Sequence, residues 1–221
     1  MQLHTTITSP YARKVWVVAH ETGLISQIRS IPTNPHCDEY LRSDNPLCRV
    51  PTLLLENGEA LFDSPVICEY LDSLHDGPRL FPASGPERWR ALRLQAVGDG
   101  LLDANVARRT ESLRPSAGRS PSWIERQTKA VDAACQWLES RIEALETTPI
   151  TIGHITVGCA LGYFAVRFPD DDWWQRCPTL ADWHNRFERR LSMHATRYAT
   201  LRQTLCTNMM KEGPADHEVF R

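Results

Sequence analysis

Long apolar runs are missing from this 221-residue chain. The longest, ITVGCALGYFAVRF, falls short of the roughly 20 residues that a membrane-spanning helix requires. Charge of one sign is missing too. The formal net charge is -2, which gives no electrostatic reason to expect a nucleic acid or a membrane surface as partner. Basic residues are scattered, and the densest group, RRTESLRPSAGR at 108–119, reads as a solvated helix end. No CxxC pair occurs among Cys37, Cys48, Cys68, Cys135, Cys159, Cys177 and Cys206. Neither these thiols nor His20, His36, His154 and His184 show the spacing of a zinc site, so no metal is expected. An odd number of dispersed thiols fits a reducing cytoplasm better than a disulfide framework. The opening MQLHTTITSP has neither a basic leader nor an apolar stretch, so no signal peptide is expected. Internal repeats and low-complexity segments are absent. The expectation is a soluble, cytoplasmic protein long enough to bury the core of one or two domains.

What is present divides into two halves with different periodicities. Residues 1–76 mix strands and helices: a strand at Gln2–Thr6, a helix from Pro10 to about Thr22, a strand at about Ser26–Ile31 and a weak helix at Pro35–Ser43. VPTLLLENGEALF follows, with a hairpin turn at Asn57-Gly58, two residues that tolerate positive φ. A helix from Ser64 to Leu74 closes this half. The order implies a small mixed sheet with helices packed on it. HDGPRLFPASGPER, at 75–88, is rich in Pro and Gly and reads as a linker. Beyond Pro86 the chain becomes helical, with a domain expected over 86–207. The seam Ile124, Thr128, Val131, Cys135, Leu138, Ile142 and Leu145 predicts one helix over Ser122–Leu145. The helix expected at His154–Phe168 is apolar on nearly every face and belongs at the centre of a bundle. Its Gly158 and Gly162 would let a neighbouring backbone come close. Further helices are expected at Thr179 to about Leu191 and on to Cys206, before an aperiodic tail at 208–221.

Three segments suggest chemistry at element ends. In TSPYARKV, Ser9 precedes a proline at the first position of a helix, a good start signal. Its hydroxyl is therefore a helix cap, or a group that touches a substrate. In NPLCRVPTL, Val50-Pro51 stands just before a strand; a cis bond there would turn the Val50 amide and carbonyl outward. In FDSPVICEYL, Ser64-Pro65 repeats the start signal behind Asp63. A helix N-terminus suits a carboxylate, and Asp63 beside it suits an ammonium group, so together they suit a zwitterionic amino-acid end.

In this order and spacing these segments resemble the N-terminal half of bacterial glutathione S-transferases. DGLLDA at 99–104 and GCALGYFAVRF at 158–168 resemble helices of that family's second domain. The resemblance covers roughly residues 1–205. It implies an α+β fold, with a thioredoxin-like glutathione-binding domain followed by an all-helical domain, in a homodimer. Redox-active classes of the family carry Cys in CPYA; SPYA here points to thiolate stabilisation, with conjugation of glutathione to small apolar electrophiles as the implied activity and detoxification as its use. A thiol of pKa near 8.5 is only a few per cent ionised at neutral pH, and lowering that value by about two units takes roughly 2.7 kcal/mol. A charge-accepting hydrogen bond from Ser9 contributes about 1.5–3 kcal/mol, and the helix N-terminus about 0.3–1 kcal/mol more. By resemblance, Val50 pairs its backbone with the cysteinyl unit, Arg49 faces the glycine carboxylate, Ser64 holds the γ-glutamyl carboxylate and Asp63 faces the α-ammonium. Tyr11, Arg108 and Tyr163 are candidate walls for the electrophile, Tyr163 being equally a core residue. A GST-fold binding or regulatory protein and a glutathione-dependent reductase or dehalogenase are the alternative functions.

Two departures from the family pattern stand out. Cys48 occupies a position that is often Gly, and is expected to pack or to react. His154 stands where the buried helix usually carries Asp in a reciprocal cap. A protonated imidazole there would oppose the helix dipole, so the helix start is expected to be weakened or capped by Thr151 alone.

Overall fold

A computed structural model describes residues 1–198. Strand β1 (Gln2–Thr5) runs into helix α1 (Pro10–Glu21), and β2 (Arg29–Pro32) returns parallel to β1. The hairpin strands β3 (Thr52–Leu54) and β4 (Ala60–Leu61) lead to α2 (Ser64–Ser73). The sheet order is β2-β1-β3-β4, with β1 antiparallel to β3 and β3 antiparallel to β4. Residues Ile25–Gln27 form a 3-10 turn, so the second strand starts later than the alternation predicts. The weak helix expected at Pro35–Ser43 is a 3-10 turn over Glu39–Ser43. Only Gly58 of the Asn57-Gly58 pair takes positive φ, at 85°; the turn closes through Leu55 N–H donating to the Glu59 carbonyl at 2.8 Å.

The helical half contains α3 (Gly85–Leu113), α4 (Pro121–Glu139), α5 (Ile142–Thr147), α6 (Ile152–Arg167), α7 (Trp173–Arg176), α8 (Pro178–Phe187) and α9 (Leu191–Ala195). This is the expected α+β half followed by a helical bundle. The single helix predicted over Ser122–Leu145 is two helices. It starts at Pro121, capped by the Ser120 hydroxyl, and stops at Ser140, whose side chain donates to the Trp137 carbonyl at 2.9 Å. A serine that bonds its own helix backbone competes with continued winding, and Leu145 reaches the core from a separate turn. The helix expected to run to Leu191 ends at Phe187, where Glu188 caps it. The helix expected to reach Cys206 and the tail at 208–221 extend outside the described residues.

One core joins the sheet to the bundle. Leu3, Leu53, Val15 and Ile67 pack with Ile155 and Cys159 of α6. A second core lies inside the bundle, around Leu102, Leu138, Leu161, Phe164 and Trp173. The predicted linker is held down at both ends of its apolar pair. Buried Asp72 accepts from the Leu80 and Phe81 amides at 2.8 and 3.0 Å, and the Leu80 carbonyl accepts from Ile152 N–H.

Close backbone approach occurs, but not at the predicted glycines. A Cβ on Gly158 would meet the Phe187 ring, and one on Gly162 would meet the Arg13 guanidinium; both neighbours are side chains. The backbone contacts fall at Gly98, where an added Cβ would come within 2.9 Å of the Val157 nitrogen, and at Gly153, where one would come within 2.9 Å of the Ala91 carbonyl oxygen. These two glycines let α3 and α6 touch.

The cap of α6 also differs from the expectation. Thr151 and His154 form a complete capping box. The imidazole Nδ1 accepts from Thr151 N–H at 3.1 Å, which leaves the ring proton on Nε2. Burial lowers the His154 pKa from 6.5 to about 4, against a raising hydrogen bond to the Leu145 backbone and with a small further lowering from Arg190. The ring is therefore neutral at pH 7, does not oppose the dipole, and supplies the acceptor a carboxylate would have supplied.

Two measurements check this account. Gly153→Ala should cost about 1–3 kcal/mol by overpacking, whereas Gly100→Ala, with no atom within 4 Å of its Cβ, should be neutral or stabilising by up to about 1 kcal/mol; urea unfolding reads both. The unfolded chain protonates His154 more readily than the folded one, so its contribution to stability is complete above pH 6.5 and declines as pH falls toward 4. His154→Gln, which keeps an acceptor at that position, should flatten the pH dependence of the melting temperature over this interval.

Candidate functional site

The register decides which loops meet. His4 of β1 faces Thr52 of β3, and Leu53 of β3 faces Leu61 of β4. The C-terminal end of β1, the N-terminal end of β3 and the C-terminal end of β4 therefore lie at one end of the sheet. From that end emerge the turn to Ser9, the loop carrying Arg49, Val50 and Pro51, and the turn to Asp63 and Ser64. The sequence-predicted glutathione residues are brought to one edge.

Each is positioned by local chemistry. The Ser9 hydroxyl oxygen accepts from Ala12 N–H at 3.2 Å, so Ser9 is the cap of α1. That bond uses an oxygen lone pair and leaves the hydroxyl proton available to donate. The side chain is half-buried, at the mouth of the helix. The Val50–Pro51 peptide is cis, and Val50 makes no main-chain hydrogen bond to the described residues outside regular elements. Its loop is pinned from below by Asn45, 1% exposed, whose Nδ2 donates to the Arg49 carbonyl and to Thr52 Oγ1 while Oδ1 accepts from Leu47 N–H. Arg49 is exposed. Ser64 is buried at the first position of α2, and Asp63, exposed, makes no capping bond of its own. Cys48 takes φ 50°, a left-handed conformation that favours Gly, and its buried thiol lies 3.5 Å from the Pro35 carbonyl. It packs.

The electrophile candidates separate. Tyr11, in the first turn of α1, donates its hydroxyl to Asp103 of α3 at 2.5 Å. Burial, then Asp103, pushes its pKa far above the usual tyrosine value. Tyr163 of α6 is half-buried beside it, its pKa raised by burial. Arg108 is not available as a wall. It is 8% exposed, bonded to Asn105 and Asp171 at 3.1 and 3.2 Å, and its guanidinium lies 4.2 Å over the Phe168 ring. Its place is the bundle interior, because a buried guanidinium needs carboxylate and aromatic neighbours and finds them there.

Residues that carried no signal in the sequence hold α1 in place. Lys14, fully buried, donates to Asp99 at 2.5 Å. Arg13 reaches Glu188 at 2.7 Å. His184, Arg13 and Arg197 together bring the Glu188 pKa down to about 2 against the opposing effect of burial. Asp99 keeps a raised pKa because burial outweighs the nearby ammonium. Asp99 and Asp103 stand four residues apart in DGLLDA, hence on one helical face, but nothing in that motif says the face meets α1. Among the described residues no group of three or more His, Cys, Asp and Glu is placed to hold a metal, and no helix is long and apolar enough to cross a membrane.

Comparison with known proteins identifies the family. The family model for the N-terminal domain of glutathione S-transferase matches residues 8–74, and that for the C-terminal domain matches residues 121–186. An uncharacterized GST-like protein of Escherichia coli (strain K12), YibF, is 32% identical over 176 residues, covering 78% of this chain and 86% of the relative. The chain belongs to the glutathione S-transferase family. Among solved structures, a glutathione transferase family member from Pseudomonas fluorescens Pf-5 with bound glutathione is 40% identical, with a TM-score of 0.84 over 89% of this chain and 98% of the other. A second structure of that family member, with bound S-(propanoic acid)-glutathione, aligns at 39% identity with a TM-score of 0.81 at the same coverage. This transferase-family chain therefore has the family's two-part fold, with its candidate residues at the end of the sheet from which α1 and α2 start.

Removing one partner of the buried ion pair tests the scaffold under α1. Lys14→Met should lower stability by about 3 kcal/mol, because Asp99 loses its counter-charge. Adding Asp99→Leu should recover a large part of that loss in the same denaturant titration.

Proposed function

We propose that the protein is a glutathione transferase in which Ser9 stabilises the thiolate of bound glutathione for attack on a small electrophile. The observation that carries this reading is the Ser9 hydroxyl: its oxygen is occupied by Ala12 N–H, so its proton is left to donate beside the start of a helix. Support comes from the Pseudomonas fluorescens family member, whose two structures carry bound glutathione and bound S-(propanoic acid)-glutathione.

The donor set fits the tripeptide. The free amides at the start of α2 and the Ser64 hydroxyl receive the γ-glutamyl carboxylate, and the uncapped Asp63 carboxylate meets the α-ammonium. The outward main chain of Val50, ahead of Pro51, pairs with the cysteinyl unit, and exposed Arg49 faces the glycine carboxylate. Tyr11 and Tyr163 border the electrophile. In the displacement reaction the thiol proton passes to water. The sulfur lone pair then forms the new C–S bond while the leaving group departs with its own bonding pair. Homodimeric assembly and a cytoplasmic setting belong to the same proposal.

Ser9→Ala removes a hydrogen bond to an anion, worth about 1.5–3 kcal/mol. Conjugating activity toward 1-chloro-2,4-dinitrobenzene should fall about 10- to 100-fold, with glutathione affinity by calorimetry changed by less than about threefold, since the γ-glutamyl anchor lies elsewhere. Activity that survives the substitution would return Ser9 to a cap alone. A wild-type protein that binds glutathione and conjugates nothing would favour the regulatory alternative.

A further inference from the structure

Both polar atoms of the Asn45 side chain are used inside the protein, at the start of the loop that leads to Val50. The residue is 1% exposed. Its Oδ1 accepts from Leu47 N–H at 2.9 Å, and its Nδ2 donates to the Arg49 carbonyl at 3.2 Å and to Thr52 Oγ1 at 3.0 Å. A main-chain N–H only donates and a carbonyl only accepts, so these partners fix which end of the amide is nitrogen. Thr52, fully buried at the start of β3, donates in turn to the same Arg49 carbonyl at 2.8 Å. Asn45 has little freedom of its own: its N–H donates to the Leu41 carbonyl, and its carbonyl accepts from Cys48 N–H, each at 2.8 Å.

A carbonyl with two buried donors is held in one direction. The Arg49–Val50 peptide is trans, and in a planar trans peptide the C=O and the N–H point opposite ways. The Arg49 carbonyl is turned inward, toward Asn45 and Thr52, so the Val50 N–H is turned outward. Among the described residues that N–H has no main-chain acceptor in the turns and loops. The direction of the Val50 amide is therefore set from beneath, by two side chains that do not reach the surface.

Resting on the transferase reading above, we infer that Asn45 and Thr52 are positioning residues for glutathione, acting through the Arg49 carbonyl to aim the Val50 N–H at the cysteinyl carbonyl. Neither side chain touches the tripeptide. Without their two bonds the Arg49–Val50 peptide is free to turn about its flanking single bonds, which takes the Val50 N–H out of line. Through the cysteinyl unit the same peptide sets where the sulfur stands relative to Ser9.

Calorimetric titration with glutathione, joined to spectra of protein labelled with nitrogen-15 valine, tests the assignment. In the wild-type protein the Val50 amide signal, identified by its loss in Val50→Ile, should move downfield as glutathione saturates the site. Asn45→Asp puts an oxygen where the amide nitrogen faced the Arg49 carbonyl, and Thr52→Val deletes the second donor. Glutathione should bind about tenfold more weakly to the first and about threefold more weakly to the second, the range that one hydrogen bond covers. The Val50 shift should be lost in Asn45→Asp, with folding checked by its thermal melt. Thr52→Ser, which restores the hydroxyl, should recover the wild-type affinity; if Asn45→Asp does not fold, equal affinities of Thr52→Val and Thr52→Ser would overturn the assignment. Unchanged affinity in a folded Asn45→Asp would overturn it too, and so would weaker binding with the Val50 shift intact, which makes Asn45 a structural residue only. A wild-type Val50 amide that glutathione binds without moving would sink the positioning role and leave the transferase reading standing. If the wild-type protein binds no glutathione, both fall.

Discussion

A fully buried ammonium group has to be neutralised where it lies, and Lys14 meets this requirement through Asp99. The pair crosses from the first helix of the sheet half to the long helix of the bundle. It fixes the height and rotation of α1 and therefore the position of Ser9 at its start. Tyr11 to Asp103 and Arg13 to Glu188 repeat the tie on either side. Polar links of this kind add little net stability compared with well-packed apolar contacts, but each holds in one geometry and is costly to leave half-made. The helix that starts at Ser9 is thereby locked to the bundle by directional polar links in addition to the apolar core that joins the two.

That arrangement lets one hydroxyl do two things. As a cap, Ser9 closes α1 with its oxygen, and the hydroxyl proton remains free to donate. The cost of ionising a thiol is small enough for a single donor and a helix end to meet. What the rest of the edge must supply is orientation: the Val50 loop held by buried Asn45, and the start of α2 placed by the β4 turn. On the bundle side, α3 supplies Asp103, which accepts from Tyr11, and α6 supplies half-buried Tyr163.

Legibility differed by the range of the information. The cap at Ser9, the hairpin at Asn57-Gly58 and the start of α2 at Ser64-Pro65 were readable because each is decided within a few residues. The Ile124 to Leu145 seam was read correctly as a packing face, buried at Val131, Cys135, Leu138 and Leu145, and wrongly as continuous, since periodicity survives a break at Ser140 that keeps the following turn in phase. His154 was misjudged for a different reason. Its charge at the helix start depends on burial, and burial came from elements the local motif does not contain. Arg108 was assigned to the cleft by its neighbourhood in the chain, while Phe168 and Asp171, some sixty residues further on, hold it in the interior.

By itself, the sequence determined the two-part architecture, the family resemblance and the types of residue at each element end, because caps, turns and apolar periods act over short stretches. Only the tertiary structure decided which of those ends share an edge, which glycines sit at a backbone contact, and which cations find carboxylates. Those outcomes depend on strand register and on the docking of α3 and α6, interactions between distant segments that no local pattern encodes.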